Sequence, residues 1–365
     1  MLGTKRLSKK ATRVLLSVLT CFSALIYFSF VNFHLVRTPC GLSIVPVKTF
    51  PAQESLNPHV SSGATEDGEI SIKTRKSAVV CAIVKKERLY IDEWVDYHLG
   101  LGFEKIYIYD NSVDFDMRGW EVMKNQEWFG CEPARRDVVK VFHFPGDMQQ
   151  TSAYDTCTLR ARDEGHEWAA FFDVDEFLVL HQHADVVTFL EEYCSVGALG
   201  ISWRYFGTNN ETEYIPLPVT KRFTLGAAEP DRHIKSIAKL DHVLEVGHVH
   251  FVTKFMANYC TIDTNRRRVD GPFNRNPPSN IAVLHHYHTK SVGEYRLKRA
   301  RGRADINCSD SAFTEPCEQL HIMSTTSTLD TLPVGEKFDD LVWQTLKYNI
   351  PAYKDGSPKN GTSRC

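Results

Sequence analysis

Charge of one sign is what this sequence most lacks: 43 Lys and Arg face 45 Asp and Glu, a formal net charge of −2. A nucleic-acid partner calls for a basic surface, and this balance gives no sign of one. Cys-x-x-Cys is absent although the chain has 10 cysteines, which argues against a zinc ribbon or a thioredoxin-type site. His-Glu-x-x-His is absent too, so the run Leu284-His-His-Tyr-His-Thr-Lys-Ser291 lacks the companions of a zinc site. Gly100-Leu-Gly102 follows a helical pattern and has no third glycine, which excludes a dinucleotide fingerprint. There is no internal repeat, and the Asp-x-Asp-x-Asp-Gly loop of the commonest calcium site is missing.

What is present begins with Val14 to Phe33, an apolar stretch without a charged residue. Its length is close to the ~20 residues a helix needs to cross a bilayer. A cleavable signal peptide has a shorter apolar core and a small-residue cleavage site, so an uncleaved anchor is the better reading. Lys5, Arg6, Lys9, Lys10 and Arg13 precede it and Arg37 follows, which places residues 1–13 in the cytosol and the remainder in a lumen. Residues 34–76, rich in Pro, Ser and Gly, read as a flexible stem. Asn210, Asn307 and Asn360 head glycosylation sequons. Nine cysteines lie beyond Cys21, an odd number that cannot all pair internally, and Cys308 with Cys317 could close a small loop.

From Ala78 onward apolar runs alternate with helical patterns as far as Phe172. Ala78–Val84, Lys105–Tyr109, Val138–Phe142 and Ala169–Phe172 read as strands, Lys86–Leu101 and Gln149–Gly165 as helices. Such alternation implies an α/β fold whose mainly parallel sheet is covered on both faces. Beyond it, Val186–Tyr193 reads as a helix, Leu199–Phe206 and His248–Lys254 as strands, and Thr264–Asn280 as a loop near the site. The folded domain spans residues 77–350, and 351–365 form a tail. Ligands of parallel sheets bind beyond the C-terminal strand ends. Three polar clusters fall there: Lys85–Glu87, Asp110–Asn111 and Asp173–Glu176.

The last of these is the most informative. In Trp168–Leu178, WAAFFDVDEFL, an apolar strand stops in alternating carboxylates. Carboxylates are costly to bury unless a cation neutralises them, and oxygen ligands suit Mg²⁺ or Mn²⁺ with substrate phosphates. Asp173 and Asp175 are therefore the expected metal ligands, with helix capping as the plainer alternative. One of His285, His286 and His288 could complete the metal shell, and Lys290 could neutralise diphosphate oxygens. Asp110 and Asn111 suit a nucleoside or an ordinary polar turn. Arg160 suits a phosphate, Asp173 or plain solvent.

Lys85-Lys-Glu87 with Tyr90-Ile-Asp-Glu-Trp94 and Tyr97–Gly102 resembles the opening of glycosyltransferase family 92. So do Tyr107–Ser112, Trp168–Leu178, Trp203–Thr208, and His286–Ser291 with Lys298 and Arg301-Gly302, in consistent order over about residues 78–305. The resemblance implies a GT-A (nucleotide-diphospho-sugar transferase) Rossmann-like fold, an inverting mechanism, Mn²⁺ (or Mg²⁺), and a UDP-sugar donor. Members of known activity transfer galactose, so UDP-galactose and a glycan acceptor are the implied substrates. Carried over by position, Asp173 and Asp175 match the metal-binding pair and His286 the late histidine. Lys85, Glu87, Asp110, Asn111, Arg160 and Lys290 are then the expected donor contacts. Thr208-Asn-Asn-Glu211 departs from the pattern often seen after Phe-Gly. The expected protein is a single-pass type II Golgi membrane enzyme. The alternatives are transfer from another UDP-sugar, or a lumenal calcium-dependent carbohydrate-binding module without catalysis. Asp241, Glu245, Asp270 and Asp305 are open candidates for the base.

Overall fold

The computed structural model describes residues 33–38, 41–46, 77–120, 138–302, 337–349 and 353. The chain divides into two compact units, residues 1–71 and 72–365. In the first, Phe33–Thr38 pairs antiparallel with Gly41–Pro46, a hairpin that takes in the last residue of the expected anchor and the start of the expected stem. Residues 14–32 of the expected anchor lie outside the described residues, as do Asn307, Asn360, Cys308 and Cys317. Among the described residues no helix is long and apolar enough to cross a membrane.

The second unit is built on one large sheet. Ala78–Val84 (β1) is buried along its whole length, as expected for a strand covered on both faces. Ile91–Gly100 (α1) leads to Lys105–Asp110 (β2) and Val139–His143 (β3). Gln150–Asp163 (α2) precedes Trp168–Phe171 (β4), and Glu176–Leu180 (β5) follows the acidic motif. After Val186–Glu191 (α3) come Ala198–Tyr205 (β6), Ile234–Lys239 (β7), Thr261–Ile262 (β8) and Ala282–His286 (β9). Val292–Ala300 (α4) and Leu341–Asn349 (α5) close the described chain. The strand order is β3-β2-β1-β4-β7-β6-β9-β5, with β8 beside β6. Only β5 and β7 run against their neighbours. This is the mixed, mainly parallel sheet of the GT-A reading.

Alternation along β1 explains the two layers. Val79, Cys81 and Ile83 share a core with Ala153, Tyr154, Cys157 and Ala161 of α2. A disulfide between Cys81 and Cys157 fastens that helix to the central strand. On the other side His98 of α1 packs on Phe103, Phe172 and Phe177.

Two readings need correction. The first helix begins at Ile91, not Lys86: Lys86 has φ +57, outside the helical region, and Arg301 engages both its carbonyl and the Glu87 carboxylate. Glu93 and Asp96 of that helix are buried. Glu93 accepts from Val219 N, Thr220 N and Thr220 Oγ1, and Asp96 accepts from Tyr353. His248–Lys254 forms no strand; its backbone bends, and only Lys254–Phe255 is extended and paired.

Candidate active site

The carboxylate motif sits where the fold class predicts, past the end of β4, and the chain then turns into β5. Because β5 pairs with β9, Glu176 lies opposite His286 in register. This brings Asp175 to the histidine run. The Asp175 carboxylate lies 3.4 Å from His286 Nε2 and 3.7 Å from Lys290 Nζ, and it accepts a hydrogen bond from Lys298. Asp175, His286 and His288 place one ligand atom each within 4.8 Å of one another. His286 and His288 reach the same site by their two-residue spacing. His285, one residue earlier, is buried against Phe206 instead.

Asp173 is placed differently from the reading that paired it with Asp175 on one ion. Its carboxylate pairs with Lys235 at 2.9 Å and accepts from Gln150 Nε2 at 3.0 Å and Tyr154 OH at 3.3 Å. Glu176 Oε2 accepts from the Asp173 backbone N–H at 2.8 Å and lies 3.6 Å from the same lysine. Lys235, Gln150 and Tyr154 are the members that sequence reasoning missed. Lys235 offers a weak signal, one of two lysines in Ile234–Lys239, a stretch that reads as a solvated strand.

Electrostatics follow from burial set against these pairs. Burial pushes the Asp175 carboxyl up, but Lys298 and Lys290, then His286, outweigh it and hold it well below the usual range. Asp173 is lowered likewise, its burial overcome by Lys235, and Lys235 is raised by Asp173 and Glu176 against its own burial. Burial pushes Glu176 well up and both His286 and His288 down. Neutral imidazoles beside an ionised carboxylate are the protonation states that a metal ligand set needs.

Whether these residues fit a divalent cation can be judged from what occupies the position. Lys298 Nζ bonds to Asp175 and lies 3.2 Å from His288 Nδ1, so a positive charge already sits between two of the three ligands. His286 Nδ1 is buried with no partner among the described residues. One carboxylate and two imidazoles suit Mn²⁺ or another transition metal better than calcium, which takes oxygen ligands. The set fits.

The remaining expected contacts divide. Lys85 and Glu87 line the same cavity of about 160 Å³ as Asp173, Asp175, His286 and His288. Lys290 is buried beside Tyr90, its ammonium 4.3 Å from the ring centroid. Asp110 and Asn111 are turned inward. Asp110 accepts from Ser112 N at 2.8 Å and Met117 N at 2.7 Å, and Asn111 Nδ2 donates to the carbonyls of Phe144 and Gly146. Theirs is the turn geometry rather than the nucleoside contact. Arg160 stands on α2 ten residues beyond Gln150, about 15 Å along the axis, with its guanidinium 4.1 Å from the Phe142 ring centroid. The site does not include it. Asn210 is exposed in a turn, with φ +63.

The sequence model of glycosyltransferase family 92 matches residues 76–318. A glycosyltransferase family 92 protein of Oryza sativa subsp. japonica is 30% identical over 193 residues, 51% of this chain and 31% of its own length. One from Ricinus communis is 27% identical over 251 residues, 65% of this chain and 39% of its own length. In these matches the chain spans only about a third of its curated relatives. Among solved structures, S. aureus TarS aligns with a TM-score of 0.34 at 14% identity, covering 68% of this chain and 42% of that one. The family match takes in the acidic motif, the histidine run and every residue of the cavity described above, and the chain belongs to glycosyltransferase family 92.

Proposed function

We propose that the chain is a metal-dependent inverting glycosyltransferase that moves a hexose from a UDP-sugar to a glycan acceptor. One observation carries the reading: Asp175, His286 and His288 meet at the sheet edge where Lys290, Lys298 and Arg301 also converge. Asp175 with the two imidazoles would hold the cation, which when bound acts as a Lewis acid on the diphosphate. The three cationic side chains would neutralise charge on the departing UDP. Glu87 orients Arg301 through their ion pair, and the half-buried ring of Tyr90 steers Lys290.

Galactose is the sugar implied by the family resemblance. A lumenal disposition is supported by the Cys81–Cys157 disulfide, which persists in oxidising compartments, and by the exposed sequon at Asn210. The apolar stretch at 14–33 then serves as the anchor of a type II Golgi protein. The test gives the full chain a panel of UDP-sugars with Mn²⁺ and measures UDP release with and without EDTA. UDP-galactose should be turned over and EDTA should stop it. Asp175→Ala should lose at least about 10²-fold in kcat while staying folded, a loss typical of removing one transition-state contact. A variant as active as the parent would refute the assignment.

A further inference from the structure

Inverting transfer requires a base within hydrogen-bond reach of the acceptor hydroxyl. The carboxylates weighed from the sequence do not supply it. Asp241 and Glu245 follow the far end of β7, on the opposite edge of the sheet, and Glu245 is paired with Lys254. Asp270 is highly exposed and held by Arg268 at 2.8 Å, and Asp305 lies outside the described residues.

A different pair stands on the correct edge. Since β7 runs against its neighbours, its first residue lies where the parallel strands end, with Ile234 opposite Ser202. His233, just before it, stacks on Trp203 with ring centroids 4.9 Å apart, and Trp203 lies 4.4 Å from His286 of the triad. Asp231 Oδ1 accepts from the His233 backbone N–H at 2.8 Å and sits 2.6 Å from its Nδ1. With Nδ1 committed to the carboxylate, Nε2 is the nitrogen left to take a proton. Both side chains are about one-third exposed, at 35% and 34%. Phe273 meets the imidazole edge-on at 4.6 Å and leaves 47% of itself exposed, an apolar face beside a polar dyad. β7, β6 and β9 are neighbours, so His233 and His286 are two strand spacings apart, about 10 Å. The Trp203 ring fills the space between them, so an acceptor would approach His233 from its exposed side.

We propose that His233, oriented by Asp231, is the base that activates the acceptor hydroxyl, with Phe273 the platform beneath the acceptor ring. The assignment rests on the transferase reading above. His233 Nε2 takes the hydroxyl proton, the acceptor oxygen bonds to the anomeric carbon, and the carbon–oxygen bond to UDP breaks with its electron pair leaving on the diphosphate. The imidazolium then returns its proton to water. The charged and titratable groups around the ring are Asp231, Arg232 and His250, the last 5.6 Å away and facing Lys235 and Asp173.

The experiment compares His233→Gln, Asp231→Asn and Phe273→Ala in the full chain, with p-nitrophenyl hexosides as acceptor probes. Binding of Mn²⁺·UDP by calorimetry serves as the control for an intact donor site. His233→Gln should lower kcat by about 10²–10⁴-fold, the range for general-base loss, with donor binding unchanged. Asp231→Asn removes the carboxylate that orients the ring, so kcat should fall with the acceptor KM and donor binding unchanged. Phe273→Ala should raise the acceptor KM and spare kcat. Transfer at the parental rate by His233→Gln, or an undiminished kcat in Asp231→Asn, would overturn the base; an unchanged acceptor KM in Phe273→Ala would overturn the platform. A parent chain that binds no Mn²⁺·UDP would instead overturn the transferase reading itself.

Discussion

Lys298 is the residue whose role most changes the view of the site. Its ammonium bonds to Asp175 and adjoins His288, so it competes directly with any divalent cation for the same ligands. Two charges this close repel by several kcal/mol at the effective dielectric of a protein surface, and a flexible lysine relieves most of that by swinging away. Lys298→Met should therefore tighten Mn²⁺ binding by on the order of tenfold, about 1.4 kcal/mol, in a calorimetric titration without nucleotide. Turnover should fall in the same variant because the diphosphate loses a cation; weaker Mn²⁺ binding would show that the lysine supports the ligands instead. The sequence made the acidic motif conspicuous because carboxylates interrupt an apolar strand there. It could not show that Asp173 and Asp175 part company. That division depends on Lys235, which comes from a strand more than fifty residues later and reads by itself as solvated.

α4 carries Lys298 and ends at Arg301, so its anchoring decides how well the cationic side of the site is held. Ser291 and Glu294 form a reciprocal capping box at its start. Glu294 also accepts from Arg222 at 3.0 and 2.6 Å and from Tyr90 OH at 3.0 Å. The guanidinium and carboxylate of that pair are only 1% and 2% exposed. Arg222 bonds Glu211 as well, so the segment that departs from the family pattern after Phe-Gly is tied into the same network. Breaking a buried pair by removing one partner costs about 3–5 kcal/mol, because the other charge is left stranded. Glu294→Ala should lower the Tm by roughly 10 °C, given the few degrees per kcal/mol expected of a domain this size, measured by calorimetry. A drop of only a degree or two would mean that water or Glu211 satisfies Arg222. The Ser-x-x-Glu signature of this helix start is legible at 291–294, whereas the partner Arg222 has no local mark that would join it to residue 294.

At the scale of the whole molecule, legibility follows topology. In the first half strands and helices follow plain periodicities, and β1, α1, β2, β3, α2 and β4 are recoverable from them to within a few residues of their ends. The second half contains β5 and β7, which run against the sheet, and β9, whose two histidines hide its apolar character. Buried histidines, most but not all of them in the same half, set the response of the fold to acid. Burial pushes His98, His250 and His285 down to about 3 from an ordinary 6.5. His181, His242, His286 and His288 are lowered by burial too. A histidine with a depressed folded pKa contributes stability fully present above the unfolded value, lost as pH falls through the window below it. Between about pH 6.5 and 3 the unfolded chain takes up protons that these imidazoles refuse. Each fully titrating site then contributes a slope of about 1.4 kcal/mol per pH unit. Glu93 and Glu176, raised by burial, act in the opposite sense but are fewer. The midpoint of urea unfolding should therefore fall steadily as pH drops from 6.5 to 4.5. His98→Phe, which keeps an aromatic ring against Phe103, Phe172 and Phe177, should flatten that fall. A midpoint independent of pH over this range would mean that the buried rings accept protons in place, with water reaching them.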